Sequence, residues 1–493
     1  MIVRLAIVKV RPYLHHKGLL WPKKDIMTTT SAPTAHLDAA TKRKEERRVL
    51  AGTLVGTSIE WYDFFIYAQA ASLVFANLYF DPLAKDAPGL TQVISLATIG
   101  ISFLFRPLGA VVAGHLGDKL GRKKMLVLTL MMMGFATAAI GLVPTYATIG
   151  VAAPILLMLL RILQGFSAGG EWGGAALMAV EHAPKGRRSL FGAYPQIGVP
   201  IGMILATGVI FALQQILGMQ AFLEWGWRIT FLISILLVVV GYMIRRSVSE
   251  SPVFEELQER RAESSAPLGK LMKQNKREVF LSAFIFIANN AIGYLLIAFF
   301  IGFLAKREEN PLPLGPVLGA TMVGSFGWLT FTFVGGWLGD KIGRVRTFQL
   351  GYALLAVWAI PMWMIIKEVK TVDDLWMYVL AVLLMTVGLG LSYGPQAALY
   401  AEMFPSSVRY SGVSIGYALG TVLGGAFAPM ISQMILNRTG EPNMIGVYMI
   451  IVSVISFVAV TMVKDRPDRD LNVDSADQMR EENRRTTLRS FRD

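Results

Sequence analysis

Polar and apolar residues follow one another along this chain in long blocks rather than short ones. Apolar runs of about 20 residues, enough to cross a bilayer at about 1.5 Å rise per residue, lie near 50–78, 92–114, 125–143, 152–180, 190–216 and 229–245. A second set lies near 278–304, 316–337, 347–366, 376–401, 412–436 and 444–463. The pattern predicts an all-α membrane protein with twelve transmembrane helices in two six-helix halves. Its expected divisions are a polar N-terminal tail over 1–48, a first half over 49–246, a linker over 247–277, a second half over 278–464 and a charged tail over 465–493. The linker is expected to hold a short surface helix from Ser251-Pro252. Residues 1–26 read as a mis-assigned start ahead of Met27, because the apolar stretch from Leu5 to Val10 is too short to span and no cleavage site follows it.

The halves repeat. Gly114-His-Leu-Gly-Asp-Lys-Leu-Gly-Arg122 returns 222 residues later as Gly336-Trp-Leu-Gly-Asp-Lys-Ile-Gly-Arg344, each between two apolar runs. Glu181-His-Ala-Pro-Lys-Gly-Arg-Arg188 returns after 221 residues as Glu402-Met-Phe-Pro-Ser-Ser-Val-Arg409. Two motifs offset by nearly the same distance indicate a duplicated six-span unit. In each loop an aspartate at the end of one span can meet the positive N-terminal end of a helix in the other half, or its own loop's arginine. Asp118, Arg122, Asp340 and Arg344, with Glu181, Arg188, Glu402 and Arg409, are therefore expected to form a state-dependent latch.

Composition places the chain in lipid: 54% of residues are hydrophobic, 16% are charged, and mean hydropathy is +0.50. No cysteine is present, which removes disulfides and thiolate chemistry, and no metal or cofactor is expected. The net charge of +13 is distributed as an orientation signal rather than a nucleic-acid surface. Lysine and arginine gather in the tails, the linker and the loops after spans two, four and eight. By the positive-inside rule both termini are cytoplasmic, in a plasma (inner) membrane. No G-x-x-x-x-G-K-[ST] loop follows a strand, so ATP-driven transport is not expected. No nucleophile-base arrangement or metal-ligand cluster marks an enzyme.

A charge near the bilayer centre costs at least about 2.5 kcal/mol, so each one asks for a role. The first half holds several. Glu60 and Asp63 lie three residues apart on one face of span one, flanked by Trp61, Tyr62 and Tyr67. Span two carries Arg106 before Pro107, read as structural, and span four carries Arg161, Gln164 and Glu171 on one polar face. No acid or base falls in the interior of spans seven to twelve. A division of labour follows, with protons handled in the first half and neutral polar or aromatic contacts to a solute drawn from both. Those contacts are expected from Tyr67, Gln164, Trp172, Asn289, Asn290, Tyr393 and Gln396. Trp328, Trp358, Trp363 and the methionines at 131–133 read as lipid-facing or core. The row Gly165, Gly169, Gly170, Gly173 and Gly174 reads as a close helix-packing surface.

Twelve spans, the duplicated loop and Arg161-Ile-Leu-Gln-Gly165 resemble the major facilitator superfamily. Glu60-Trp-Tyr-Asp-Phe64, Phe105-Arg-Pro-Leu-Gly109 and Gly169-Gly-Glu-Trp-Gly-Gly174 resemble its metabolite:proton symporter family, which carries shikimate, 2-oxoglutarate, citrate, and proline or betaine. The resemblance covers about residues 48 to 465. It implies two pseudo-symmetric halves and proton-coupled symport of a small organic acid by alternating access. Asp63 and Arg161 would be the coupling pair, with Glu60 and Glu171 nearby and Asp118 with Arg122 at the gate. Ala193-Tyr-Pro-Gln-Ile-Gly198 and the short tail resemble shikimate-like members more than betaine carriers; an osmoprotectant symporter is the alternative, and a transporter-like metabolite sensor a further one. The implied partners are the solute, protons and membrane lipid, with no nucleic acid and a monomeric chain.

Overall fold

A computed structural model describes residues 39–80, 88–120, 122–169, 171–246, 267–307, 310–466 and 471. The expected start at 1–26, the linker helix at Ser251-Pro252 and the tail beyond residue 471 lie outside the described residues. By internal packing the chain divides into residues 1–42 and 43–493, and the helix bundle belongs to the second unit.

Span one is Ala39–Ala70, continued by the π-helical segment Ala71–Phe80. The other spans, two to twelve, are Thr91–Ala113, Lys124–Leu142, Ala152–Glu181, Arg188–Leu217, Met219–Met243, Lys276–Lys306, Leu314–Ile342, Arg344–Ile366, Val372–Met403, Arg409–Thr439 and Asn443–Thr461. These eleven are long and apolar enough to cross a membrane. Span one is diluted by Glu60, Asp63 and Gln69, all buried inside the bundle. Large apolar side chains such as Phe135, Leu236 and Val357 remain exposed on the outside, the arrangement a lipid surface requires.

Spans one to six and seven to twelve form the two halves. They meet along two related seams, span two on eleven and span eight on five, with span four also against spans ten and eleven. Both copies of the repeated loop lie at one end of the bundle, here called the motif end. In the second copy Gly343 takes φ 98°, a left-handed conformation that glycine adopts without penalty, and this turns the chain from span eight into span nine.

Glycines set how close the helices come. A Cβ on Gly165 would fall 1.9 Å from the Ser102 carbonyl oxygen, and one on Gly169 2.2 Å from that of Arg106, so both press on the backbone of span two. Gly173 instead faces Ser414 of span eleven, in the other half. The row thus serves one seam within a half and one between halves. Gly165→Val is expected to cost at least about 2 kcal/mol through overpacking, read as a lower melting temperature of the purified protein in detergent.

Spans one and seven each turn π-helical toward the end opposite the motif end, at Ala71–Phe80 and Leu295–Phe299. The segments meet where Ser72 Oγ donates to the Ala298 carbonyl at 3.0 Å. Wider turns of this kind weaken regular helix hydrogen bonding and commonly mark functional segments. Nothing in the apolar pattern announced them.

Candidate functional site

Two linked polar centres occupy the bundle interior. The first lies wholly within the first half. Asp63, buried, accepts hydrogen bonds from Ser234 of span six at 2.6 Å and Thr137 of span three at 2.9 Å. Arg161, fully buried, donates to Gln164 and, at 3.4 Å, to the Ile99 carbonyl, and its guanidinium lies 3.6 Å from the Tyr67 ring centroid. Asp63 and Arg161, expected as a direct pair, do not touch. Gln164 Nε2 donates to Thr137 Oγ1 at 2.8 Å, which completes a chain from Arg161 through Gln164 and Thr137 to Asp63. The spacing i, i+3 brings Gln164 under Arg161, whereas Thr137 and Ser234 come from helices distant in sequence.

Span four breaks after Ala168, and its helix resumes at Glu171. The expected single polar face survives the break: Gln164 reaches span three at Thr137, and Glu171 accepts from Thr129 of the same span at 3.3 Å. Glu60 is buried one residue before Trp61 and lies, with Arg106, within electrostatic range of Tyr294, Tyr393 and Tyr417.

The second centre is a cleft between the halves, lined by Trp61, Asn289, Asn290, Tyr294, Trp328 and Tyr393 among others. About 10 Å³ of it is open, roughly the space of one water. Of the seven expected solute contacts, Asn289, Asn290 and Tyr393 line it. Tyr67 and Gln164 belong instead to the Arg161 centre. Trp172 and Gln396 lie in the closed seam: Trp172 stacks on Tyr417 at 3.8 Å and donates to Gln196, which donates to Gln396 at 3.2 Å. Sequence reasoning set Trp328 aside as lipid-facing or core and passed over Tyr294. Apolar periodicity separates buried from exposed aromatics but not a cleft wall from packed core.

Below the cleft the motif end is shut. Asp340 accepts from the backbone N–H groups of Ser189 and Leu190, at 3.0 and 2.9 Å, at the start of span five in the other half. Those N–H groups are among the unpaired donors of a helix N-terminus, where a carboxylate is stabilised. Arg344 lies 3.5 Å from Asp340 and 3.1 Å from Glu402. The second motif pair exchanges partners across the seam, Glu181 with Arg409 at 3.5 Å and Arg188 with Glu402 at 3.6 Å. The side chains of Asp118 and Arg122 lie outside the described residues.

At the opposite end a vestibule of about 780 Å³ reaches inward past Lys306, Arg307 and Gln433 to Ser72 and Ala298. Only the two π-helical segments separate it from the region of the cleft. The bundle is closed at one end and partly open at the other around a central site.

Known proteins share this chain's sequence and fold. The family model described as Major Facilitator Superfamily matches residues 53–414 and 314–492. The inner membrane metabolite transport protein YhjE of Escherichia coli K12 is 36% identical, over 90% of this chain and 100% of its own length. The shikimate transporter of the same organism is 34% identical over 89% and 99%, and the proline/betaine transporter of Salmonella typhimurium 30% over 86% and 85%. Among solved structures, the proton:xylose symporter XylE bound to 6-bromo-6-deoxy-D-glucose superposes with a TM-score of 0.71 at 15% identity, over 88% of this chain and 98% of that one. A duplicated twelve-span bundle, closed at its motif end around a buried polar site, is accordingly a multi-pass membrane transporter of small molecules, and the chain belongs to the major facilitator superfamily.

Proposed function

We propose that this transporter is a proton-coupled symporter that imports a small organic acid by alternating access, with its motif end and both termini in the cytoplasm. The orientation rests on the lysines and arginines of the tails and alternate loops. One observation carries the coupling: Asp63, a buried carboxylate, is wired to the buried Arg161 through Gln164 and Thr137, inside one half and apart from the cleft.

Thr137 has one hydroxyl hydrogen and two acceptors within reach, Asp63 at 2.9 Å and the Met133 carbonyl at 3.0 Å. With Asp63 ionised, the hydrogen goes to the carboxylate. With Asp63 protonated, Thr137 turns it back to Met133, and the Gln164 and Arg161 contacts readjust. Proton occupancy thereby reaches span four, which carries both the chain's arginine and the glycines that slide on span eleven.

The zwitterion reading has a specific difficulty. A quaternary ammonium is held by aromatic faces, and the faces of Trp61, Phe64 and Phe103 already hold the guanidinium of Arg106. An organic anion meets no such competition.

In proteoliposomes, an inward proton gradient is expected to accumulate radiolabelled shikimate or a related hydroxy acid, and a protonophore to abolish the accumulation. Uptake of a solute indifferent to the gradient would refute the coupling.

A further inference from the structure

Arg106 is fully buried midway along span two, and the coupling chain leaves it without a task. Its guanidinium carbon lies 4.1, 4.5 and 5.7 Å from the ring centroids of Phe64, Phe103 and Trp61. Its Nε, Nη1 and Nη2 have no hydrogen-bond partner among the described residues. Arg161, one helix away, is held by Gln164 and a carbonyl. A buried guanidinium with every donor unpaired is costly, and packing on rings does not replace its hydrogen bonds.

The deficit continues into the cleft wall. The Trp61 and Trp328 indole N–H groups and the Tyr294 hydroxyl are buried without partners. Tyr294 packs against Phe103 at 5.0 Å and Trp61 at 6.3 Å, so it adjoins the rings that hold Arg106. Indole and guanidinium groups only donate. The one unpaired acceptor in this wall is Asn290 Oδ1. A positive, donor-rich wall is complementary to an anion with several oxygens.

We propose that Arg106 docks the carboxylate of the transported solute, while Trp61, Tyr294 and Trp328 donate to its further oxygens, which makes the solute class a hydroxylated monocarboxylate. This deepens the symporter reading above and rests on it. Arg106 lies behind Trp61 and Tyr294, one from each half, so parting spans one and seven brings the guanidinium to the cleft. A second carboxylate finds no equal partner, because Arg161 is already engaged. The cost of the unpaired donors in the closed state is recovered when the solute arrives.

The test uses the purified full-length protein and its Arg106→Met and Arg106→Lys variants. Thermal shifts are recorded with shikimate, quinate and gluconate, with the methyl ester of shikimate, and with glycine betaine. At least one acid is expected to stabilise the wild type, and the ester and betaine are not. Affinity should fall about 100-fold in Arg106→Met and about tenfold in Arg106→Lys, which keeps the charge but loses the fork. Without ligand, Arg106→Met should melt no lower than wild type, since methionine fills the ring slot without an unpaired charge. The proposal is overturned by an ester bound as well as its acid, by an undiminished response in Arg106→Met, or by no response to any acid. Gradient-driven uptake of a neutral or zwitterionic solute would end this proposal and leave the symporter standing. Arg106-dependent acid binding without proton linkage would do the reverse.

Discussion

Asp63→Asn is expected to abolish uphill accumulation while leaving solute exchange intact. Asparagine keeps an oxygen to accept from Ser234 and Thr137, now at 2.6 and 2.9 Å from the carboxylate, so the local packing survives. What it loses is a titratable group. One pH unit is worth about 1.4 kcal/mol per proton, so one coupled proton supports about tenfold accumulation per unit, and in the variant that ratio falls to one. Counterflow of labelled against unlabelled solute should continue within a few-fold of wild type. Accumulation retained in Asp63→Asn would remove Asp63 from the coupling.

The second large effect concerns the closed end. The chain has no cysteine, so one introduced thiol reports access without a background to remove. Ser414 is fully buried in span eleven against Gly173 of span four, at the seam between halves. In a Ser414→Cys protein, a thiol reagent applied from the motif end should react slowly. Adding Asp340→Ala strips the start of span five of its carboxylate, and adding Glu181→Gln weakens the bond to Arg409. Each should raise labelling at least about tenfold, since a shift of about 1.4 kcal/mol between the two states suffices. The double change should exceed either single one. Labelling unaltered in all three would show that packing alone holds the end shut.

These effects trace back to features that the sequence exposed unevenly. The spans were legible because an apolar length near 20 residues has few other meanings in a chain of this composition. The latch was legible through duplication: two acids and two arginines recurring at one offset pointed to paired loops, and the structure gives the second copy an N-terminal helix partner across the seam. Hydroxyl groups were not legible. Thr137 and Ser234 carry no charge and recur throughout membrane helices, yet they are the groups that hold Asp63. That is why the sequence suggested a direct contact between Asp63 and Arg161 where the molecule has a chain of hydrogen bonds.

Arg106 and Trp328 were misjudged for a related reason. An arginine before a proline and a tryptophan among apolar residues each have a ready structural explanation. Only the three-dimensional neighbourhood, with unpaired donors facing one cleft, distinguishes a waiting site from a packed core. The π-helical segments of spans one and seven were equally silent, because the apolar pattern there is continuous and the change lies in the backbone alone.

The account turns on one event, the joint passage of a proton and an organic acid. Proteoliposomes loaded with a pH-sensitive dye, and given shikimate or a related hydroxy acid outside with no imposed gradient, report it directly. The account predicts that adding the solute acidifies the lumen in step with uptake, and that Asp63→Asn carries the solute without acidification. Uptake by the wild type with no movement of protons would contradict it.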